Sequence, residues 1–169
     1  YTGLADVASN WVIDRCIFLT INRAIIVTLP TSASADYDSN FLIQNCFFIG
    51  PLNSQAIRID GSGAASFEGG GVDILNCSFV GASLTTNTST LSTSIPCTIY
   101  NSLILGAGTT GIAANTSGQI TEDYNYIIAG TPRSNVPAGA SSQVSATYSP
   151  LFELGQNMFS GRLLRPFMM

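Results

Sequence analysis

The sequence predicts an all-β solenoid in which one strand motif recurs in each coil. In its central copies the motif runs from Ile through Asn and then Cys or Ser to Phe or Ile, as in 43–48, 74–79 and 99–104. The column that contains the cysteines is spaced by 30, 31, 25 and 23 residues, at Cys16, Cys46, Cys77, Ser102 and Asn125. Apolar runs are short, rich in β-branched and aromatic residues, and show no helical stripe. A strand repeated at this period is typical of stacked coils.

Each predicted coil holds a motif strand, a second strand and a variable loop. The motif strands are expected at 11–18, 41–48, 72–79, 97–104 and 120–127. The second strands are expected at 24–29, 56–60 and 111–115, with a weaker candidate at 83–87. Turn-rich stretches at 31–40, 61–71 and 88–96 absorb the differences in length.

The repeats predict two parts, about five coils over 1–130 and an irregular capping or wrapping tail over 131–169. The tail is expected because the open end of a solenoid needs cover against edge pairing. The chain opens in Tyr1 without an initiator Met, and we interpret it as a piece of a longer protein.

The alternation of side chains predicts a corner inside each motif strand. In 72–79, Val72 and Ile74 share one face, and simple alternation would then turn Cys77 and Phe79 outward. One left-handed residue at Asn76 restores the inward phase, and Asn tolerates that conformation. Like residues then stack on like in adjacent coils. The predicted inward columns are Trp11/Phe41/Val72/Cys97/Ile120, Ile13/Ile43/Ile74/Ile99, Cys16/Cys46/Cys77/Ser102/Asn125 and Phe18/Phe48/Phe79/Ile104/Ile127. The corner column itself contains Asn45, Asn76 and Asn101, which we expect to form a hydrogen-bonded amide ladder.

This motif, with one copy per coil, resembles the right-handed parallel β-helix of the pectin-lyase-like superfamily. The late stretches 122–126 and 131–136 are similar to β-helix repeat proteins of Planctomycetes and relatives. The resemblance implies the fold over about residues 8–150. It leaves function open, because that superfamily includes lyases, hydrolases, phage tailspikes, adhesins and inert scaffolds.

Composition excludes several classes of function. Only 9% of residues are charged, the chain has no His, and all six cations are Arg. A net charge of −4 argues against nucleic-acid binding, which needs a basic stripe. No apolar run approaches the ~18 residues of a membrane span.

The four cysteines are predicted to be free thiols packed in the core. Stacked neighbours Cys16, Cys46 and Cys77 would have Cβ atoms about 4.8 Å apart, beyond disulfide reach. Metal-ligand spacing of the CxxC type is absent, and the sequence predicts no cofactor.

Charged residues offer weak candidates for chemistry. Arg58, Asp60 and Asp73 are weak catalytic candidates around the glycine-rich loop 61–71, with a solvated face as the alternative. The Asp36, Asp38 and Asn40 spacing resembles the start of a Ca²⁺ loop, but Phe41 stands where the loop requires Gly.

Together these patterns favour a non-enzymatic, extracellular or cell-surface structural or adhesive module that self-associates into an oligomer or filament. The alternative is a carbohydrate-active β-helix, either a lyase, hydrolase or tailspike-like depolymerase, whose partner would be a polysaccharide. A carbohydrate-binding module without catalysis is also open, with Tyr37, Tyr100 and Tyr126 as candidate contacts.

Overall fold

A computed structural model describes residues 9–19, 23–29, 39–61, 71–88, 97–115, 117 and 119–145, and these residues form strands and connecting turns without a helix. No helix in these ranges could therefore cross a membrane. The twelve strands of the described ranges are β1 (Ser9–Asp14), β2 (Ile17–Leu19), β3 (Arg23–Leu29), β4 (Ser39–Gln44), β5 (Phe47–Gly61), β6 (Gly71–Leu75), β7 (Ser78–Thr88), β8 (Cys97–Tyr100), β9 (Leu103–Ala113), β10 (Ile120–Asp123), β11 (Tyr126–Ser134) and β12 (Gln143–Ser145).

The strands form two sheets, and every described pairing is parallel. The first sheet has the order β1-β4-β6-β8-β10. The second has the order β12-β11-β9-β7-β5-β2, with β3 also paired to β5. Each strand of the first sheet thus lies beside its equivalent in the next repeat, as the repeated motif predicted.

The register of the sheets confirms the predicted columns. Phe41 pairs with Val72, and Val72 with Cys97. In the second sheet Phe48 pairs with Phe79. The Phe18 and Phe48 rings stack with their centroids 4.9 Å apart, and the Phe48 and Phe79 rings stack at the same distance. The spacing matches the distance between paired strands, so each ring lies on the ring of the next repeat.

The core lies along the inward columns of both sheets. Its largest fully buried side chains include Phe48, Phe79, Ile43, Ile74 and Ile99. A second apolar cluster, which the sequence did not predict, lies apart from this core. There Val80, Leu105 and Ile128 are buried although they directly follow inward residues. The second sheet therefore buries apolar side chains on both faces, as parallel sheets commonly do.

Three predictions about the strands need correction. The motif predicts Trp11 in an inward column, but the residue is 59% exposed because β1 is the outermost strand of its sheet. The motif strands are each divided at the corner, and in β5, β7 and β9 the part after the corner continues into the predicted second strand, as in Phe47–Gly61. The repeat pattern does not stop at Gly130, because β11 runs on to Ser134 and pairs with β12.

Candidate functional site

The corner between the two sheets has the same backbone geometry in five successive repeats. Asn76 has a φ of 53°, which confirms the predicted left-handed residue. The other positive φ values in this column are 53° at Arg15, 55° at Asn45, 49° at Asn101 and 55° at Tyr124. Parallel pairing continues through the corner, since Asn76 N–H donates to the Tyr100 carbonyl at 3.1 Å.

Side chains of the corner column bond to one another along the stack. Asn101 Nδ2 donates to Asn76 Oδ1 at 2.7 Å. Asn45 Nδ2 donates to Asp14 Oδ1 at 2.8 Å, so the carboxylate beside Arg15 serves as its acceptor. That hydrogen bond is the largest influence on the pKa of the half-buried Asp14 carboxyl and holds it below the ordinary value. These amides therefore help to hold the corner of one repeat to that of the next.

The next column inward contains Cys16, Cys46 and Cys77, whose thiols are free. Each donates to the carbonyl two residues earlier: Cys46 Sγ to Gln44 at 3.1 Å and Cys77 Sγ to Leu75 at 3.3 Å. Ser102 Oγ makes the equivalent bond to Tyr100 at 2.9 Å. Serine thus replaces cysteine in this column without loss of the bond.

Burial keeps the deeper thiols protonated. It raises the pKa of the Cys77 thiol to about 11 and that of Cys97 to about 12. Burial also raises the pKa of Cys46. A thiol must lose its proton to act as a nucleophile or metal ligand, so these groups are poorly suited to either role at neutral pH. In the described ranges, no three His, Cys, Asp or Glu residues lie where they could hold a metal ion.

The sequence-predicted catalytic candidates lie on different sheets. Arg58 and Asp60 are on β5, where they pair in register with Thr85 and Asn87 of β7. Asp73 lies on β6 of the first sheet, is exposed, and accepts a hydrogen bond from Thr98 Oγ1.

The predicted Ca²⁺ candidates fall mostly outside the described residues, where Asp36 and Asp38 lie. Asn40 is described, is exposed at the start of β4, and donates from Nδ2 to Asn10 Oδ1 at 3.2 Å. Its amide therefore bonds to the equivalent residue of the neighbouring strand.

A buried carboxylate that sequence reasoning missed lies at the last strand of the first sheet. Glu122 on β10 pairs with Ile99 and so occupies the inward isoleucine column, where its side chain is inaccessible to solvent. Its Oε1 accepts from Gly139 N–H and Arg133 Nε, both at 2.7 Å. Its Oε2 accepts from Asn125 Nδ2 at 2.8 Å and Ser142 Oγ at 2.5 Å.

The segment 139–142 crosses close to β10 at this point. A Cβ at Gly139 would collide with the backbone oxygen of Glu122, so only glycine allows the approach. Ser141 N–H donates to Asp123 Oδ1 at 2.7 Å, and Asn125 N–H donates to Ser142 Oγ at 2.9 Å. The carboxylates of β10 thus hold this segment over the end of the sheet.

The hydrogen bonds around Glu122 keep it ionised. Burial alone would raise its pKa, but bonds from Gly139, Ser142, Asn125 and Arg133 together hold the pKa below its ordinary value. Arg133 Nη2 also lies 2.5 Å from Oε1, near enough for an ion pair, although it lacks hydrogen-bond geometry. The signal for this site was in the sequence, since Glu122 continues a column otherwise made of isoleucine.

A groove of about 450 Å³ runs along the corner beside this network. Its outer lining contains Asn76, Asn101, Tyr124, Tyr126, Ser141 and Gln143. None of its lining residues is Asp, Glu, Lys or Arg. The groove therefore offers amides, hydroxyls and two phenol rings to a ligand, without charged side chains.

Comparison with known proteins gives no match: no family model, curated protein or solved structure is significantly similar to this chain.

Proposed function

We propose that the chain is a right-handed parallel β-helix of about five coils that serves as a non-catalytic structural module, outside the cell or on its surface. The parallel pairing of like residues in successive repeats supports a helix of stacked coils. The low charge, with buried thiols and few carboxylates, favours a scaffold over a catalyst. As a scaffold, the module would work through its surfaces and ends.

The observation that carries this proposal is the difference between the two ends of the stack. At the β10 end, segment 139–142 is tied to Glu122 and Asp123. At the opposite end, β1 and β2 are terminal strands of their sheets and present Trp11, Ile17 and Leu19 with more than half of each side chain exposed. Edge strands normally carry charges that block pairing. Here β2 has none, β1 has only Asp14, and β3, whose only described pairing is with β5 at the same edge, has only Arg23.

The occupant we propose for the exposed end is a second copy of this chain. Two copies related by a twofold axis would bring the same edges together, and their outer strands would then pair antiparallel. The Trp11 and Ile17 side chains of both copies would be removed from water. Burial of apolar surface stabilises such a contact by roughly 25 cal/mol per Å². At the other end, segment 139–142 lies over β10, and the edge strand left in the described residues is the three-residue β12. The proposed assembly is therefore a dimer through the longer β1–β2 end and not an open filament.

The test is the mass of the full chain in solution, measured by analytical ultracentrifugation over a range of concentrations. The wild-type chain is expected to dimerise. Ile17→Lys places a charge on the exposed edge of β2 and should give a monomer that keeps its β-sheet circular dichroism. The matched control is Val144→Lys, because Val144 is a half-exposed apolar residue on β12 at the other end. A monomeric wild-type chain, or a dimer lost in Val144→Lys and kept in Ile17→Lys, would contradict the proposal.

A further inference from the structure

The corner groove combines a cavity with an energetically unfavourable residue. Tyr124 has a φ of 55°, a conformation that is a genuine outlier for a bulky side chain. The same corner position is Asn in the three central repeats, and Asn adopts this conformation more readily. Substituting Tyr for Asn in this column therefore makes the corner harder to form.

Packing does little to compensate for this strain, because Tyr124 is 64% exposed. Residues held in unfavourable backbone conformations concentrate at functional sites, where their placement has a use beyond stability. Here the strained backbone holds a phenol ring at the side of the groove. Tyr126, two residues on, is half-buried and packs against the Val80–Leu105–Ile128 cluster, which fixes the second ring.

The hydrogen-bonding groups of the groove are amides and hydroxyls. Asn101 and Asn76 are already fixed by their mutual bond of 2.7 Å, which orients both amides before a ligand arrives. An amide carries two N–H donors and an oxygen with two lone pairs, more than one such bond uses. Gln143 and Ser141 add an amide and a hydroxyl to the lining. These groups suit a ligand that presents several hydroxyls in a row.

The charge of the groove limits the ligand further. A phosphate or carboxylate ligand would need cations, and the lining has none. A volume of about 450 Å³ lies within the ordinary range for small-ligand sites. A saturated ring with an apolar face and hydroxyls along its edge could pack its face against a phenol ring and hydrogen-bond to the amides through its hydroxyls.

We propose that the Tyr124 groove binds a neutral sugar unit of a glycan, with the Tyr124 ring against the apolar face of the sugar and the corner amides on its hydroxyls. This site goes beyond the structural role and does not depend on dimerisation. It lies at the covered end of the stack, away from β1 and β2.

The test uses the full chain and four soluble oligosaccharides, cellohexaose, maltohexaose, mannohexaose and hexagalacturonate, with binding measured by calorimetry. We expect at least one neutral hexasaccharide to bind and the acidic one to bind no more tightly. Tyr124→Asn should weaken binding at least tenfold and raise the denaturant midpoint, because it removes the ring and relieves the strain. Tyr124→Phe should keep binding within about threefold, since the ring remains.

Arg15→Asn is the matched control, because Arg15 occupies the same left-handed corner position at the opposite end of the column. It should raise the denaturant midpoint and leave sugar binding unchanged. The proposal is overturned if no neutral hexasaccharide binds, if only hexagalacturonate binds, or if Tyr124→Asn binds like the wild type. A lower denaturant midpoint for Tyr124→Asn would also overturn it, since the ring would then stabilise the fold.

Discussion

Replacing Glu122 by Gln would remove one negative charge from the covered end while keeping the shape of the side chain. The carboxylate accepts hydrogen bonds at both oxygens, from Gly139 and Arg133 on one and from Asn125 and Ser142 on the other. Gln keeps one carbonyl oxygen and offers an amide N–H₂ in place of the second. At least one donor on that side would then face another donor.

The expected cost follows from these contacts. Breaking a buried ion pair by neutralising one partner typically costs about 3–5 kcal/mol, because the other charge stays buried. The Arg133 side chain is only 14% exposed, so water could replace little of the lost interaction with its positive charge. Ser142 can rotate its hydroxyl to accept from the new amide, which recovers part of the loss. We therefore expect Glu122→Gln to lower the free energy of unfolding by about 3 kcal/mol, a large share of the ~5–15 kcal/mol typical of a domain.

The same carboxylate predicts how stability depends on pH. Because the folded-state pKa of Glu122 is lowered, its contribution is present above the unfolded-state pKa of about 4.3 and is lost as pH falls through the folded-state value. The difference in stability between the wild type and Glu122→Gln should therefore be full at pH 7 and shrink steadily below about pH 4.

The measurement is urea unfolding at pH 7 and at a series of lower pH values, together with hydrogen exchange of the amides in 139–143. The Gly139 amide should exchange faster in Glu122→Gln, because it loses a charged acceptor. The Gln143 amide should also exchange faster, because it bonds to the carbonyl of Asn125, which belongs to the same network. Asp123→Asn is the matched control. It removes the same charge from the neighbouring residue but keeps the oxygen that accepts from Ser141, so its cost should stay below about 1 kcal/mol. A Glu122→Gln chain as stable as the control at pH 7 would refute the reasoning.

Three further predictions concern the stacked columns. Phe79→Ala should cost about 3–5 kcal/mol in urea unfolding. Phe79→Ile should cost less than about 1.5 kcal/mol, because Ile104 occupies the same column and Ile keeps most of the buried volume. Equal costs for the two variants would contradict the shared apolar column. Asn76→Ala should destabilise the fold more than Asn76→Gly. Glycine adopts positive φ freely, whereas this conformation costs alanine about 1–2 kcal/mol, and the reverse order would contradict the left-handed corner at Asn76. Under native conditions a maleimide should label half-buried Cys16 well before Cys77, whose pKa is raised to about 11, and simultaneous labelling would show that the core opens as readily as the edge.

Most features of the fold that could be predicted followed from the repeated motif. Parity within 72–79 required one left-handed residue, and the structure has it at Asn76 and at each equivalent position. Identical columns in successive repeats predicted the parallel register, because a one-residue slip would turn every apolar side chain outward. The groove beside Tyr124 was not foreseen. Of its two rings, only Tyr126 was considered for sugar contact, and the strain at Tyr124 could be judged only with its exposure known.

The sequence by itself thus determined the all-β class, the corner and the order of stacking, because each repeat contains the same local pattern. The tertiary structure decided what happens at the two ends. Glu122 interrupts an isoleucine column, and only its contacts with the distant residues Arg133, Gly139 and Ser142 make that burial favourable. Trp11 matches an inward column but is exposed, because an outermost strand has a neighbour on one side only. In the described residues, the two ends do not repeat the environment of the middle repeats, so a periodic pattern could not predict their contacts.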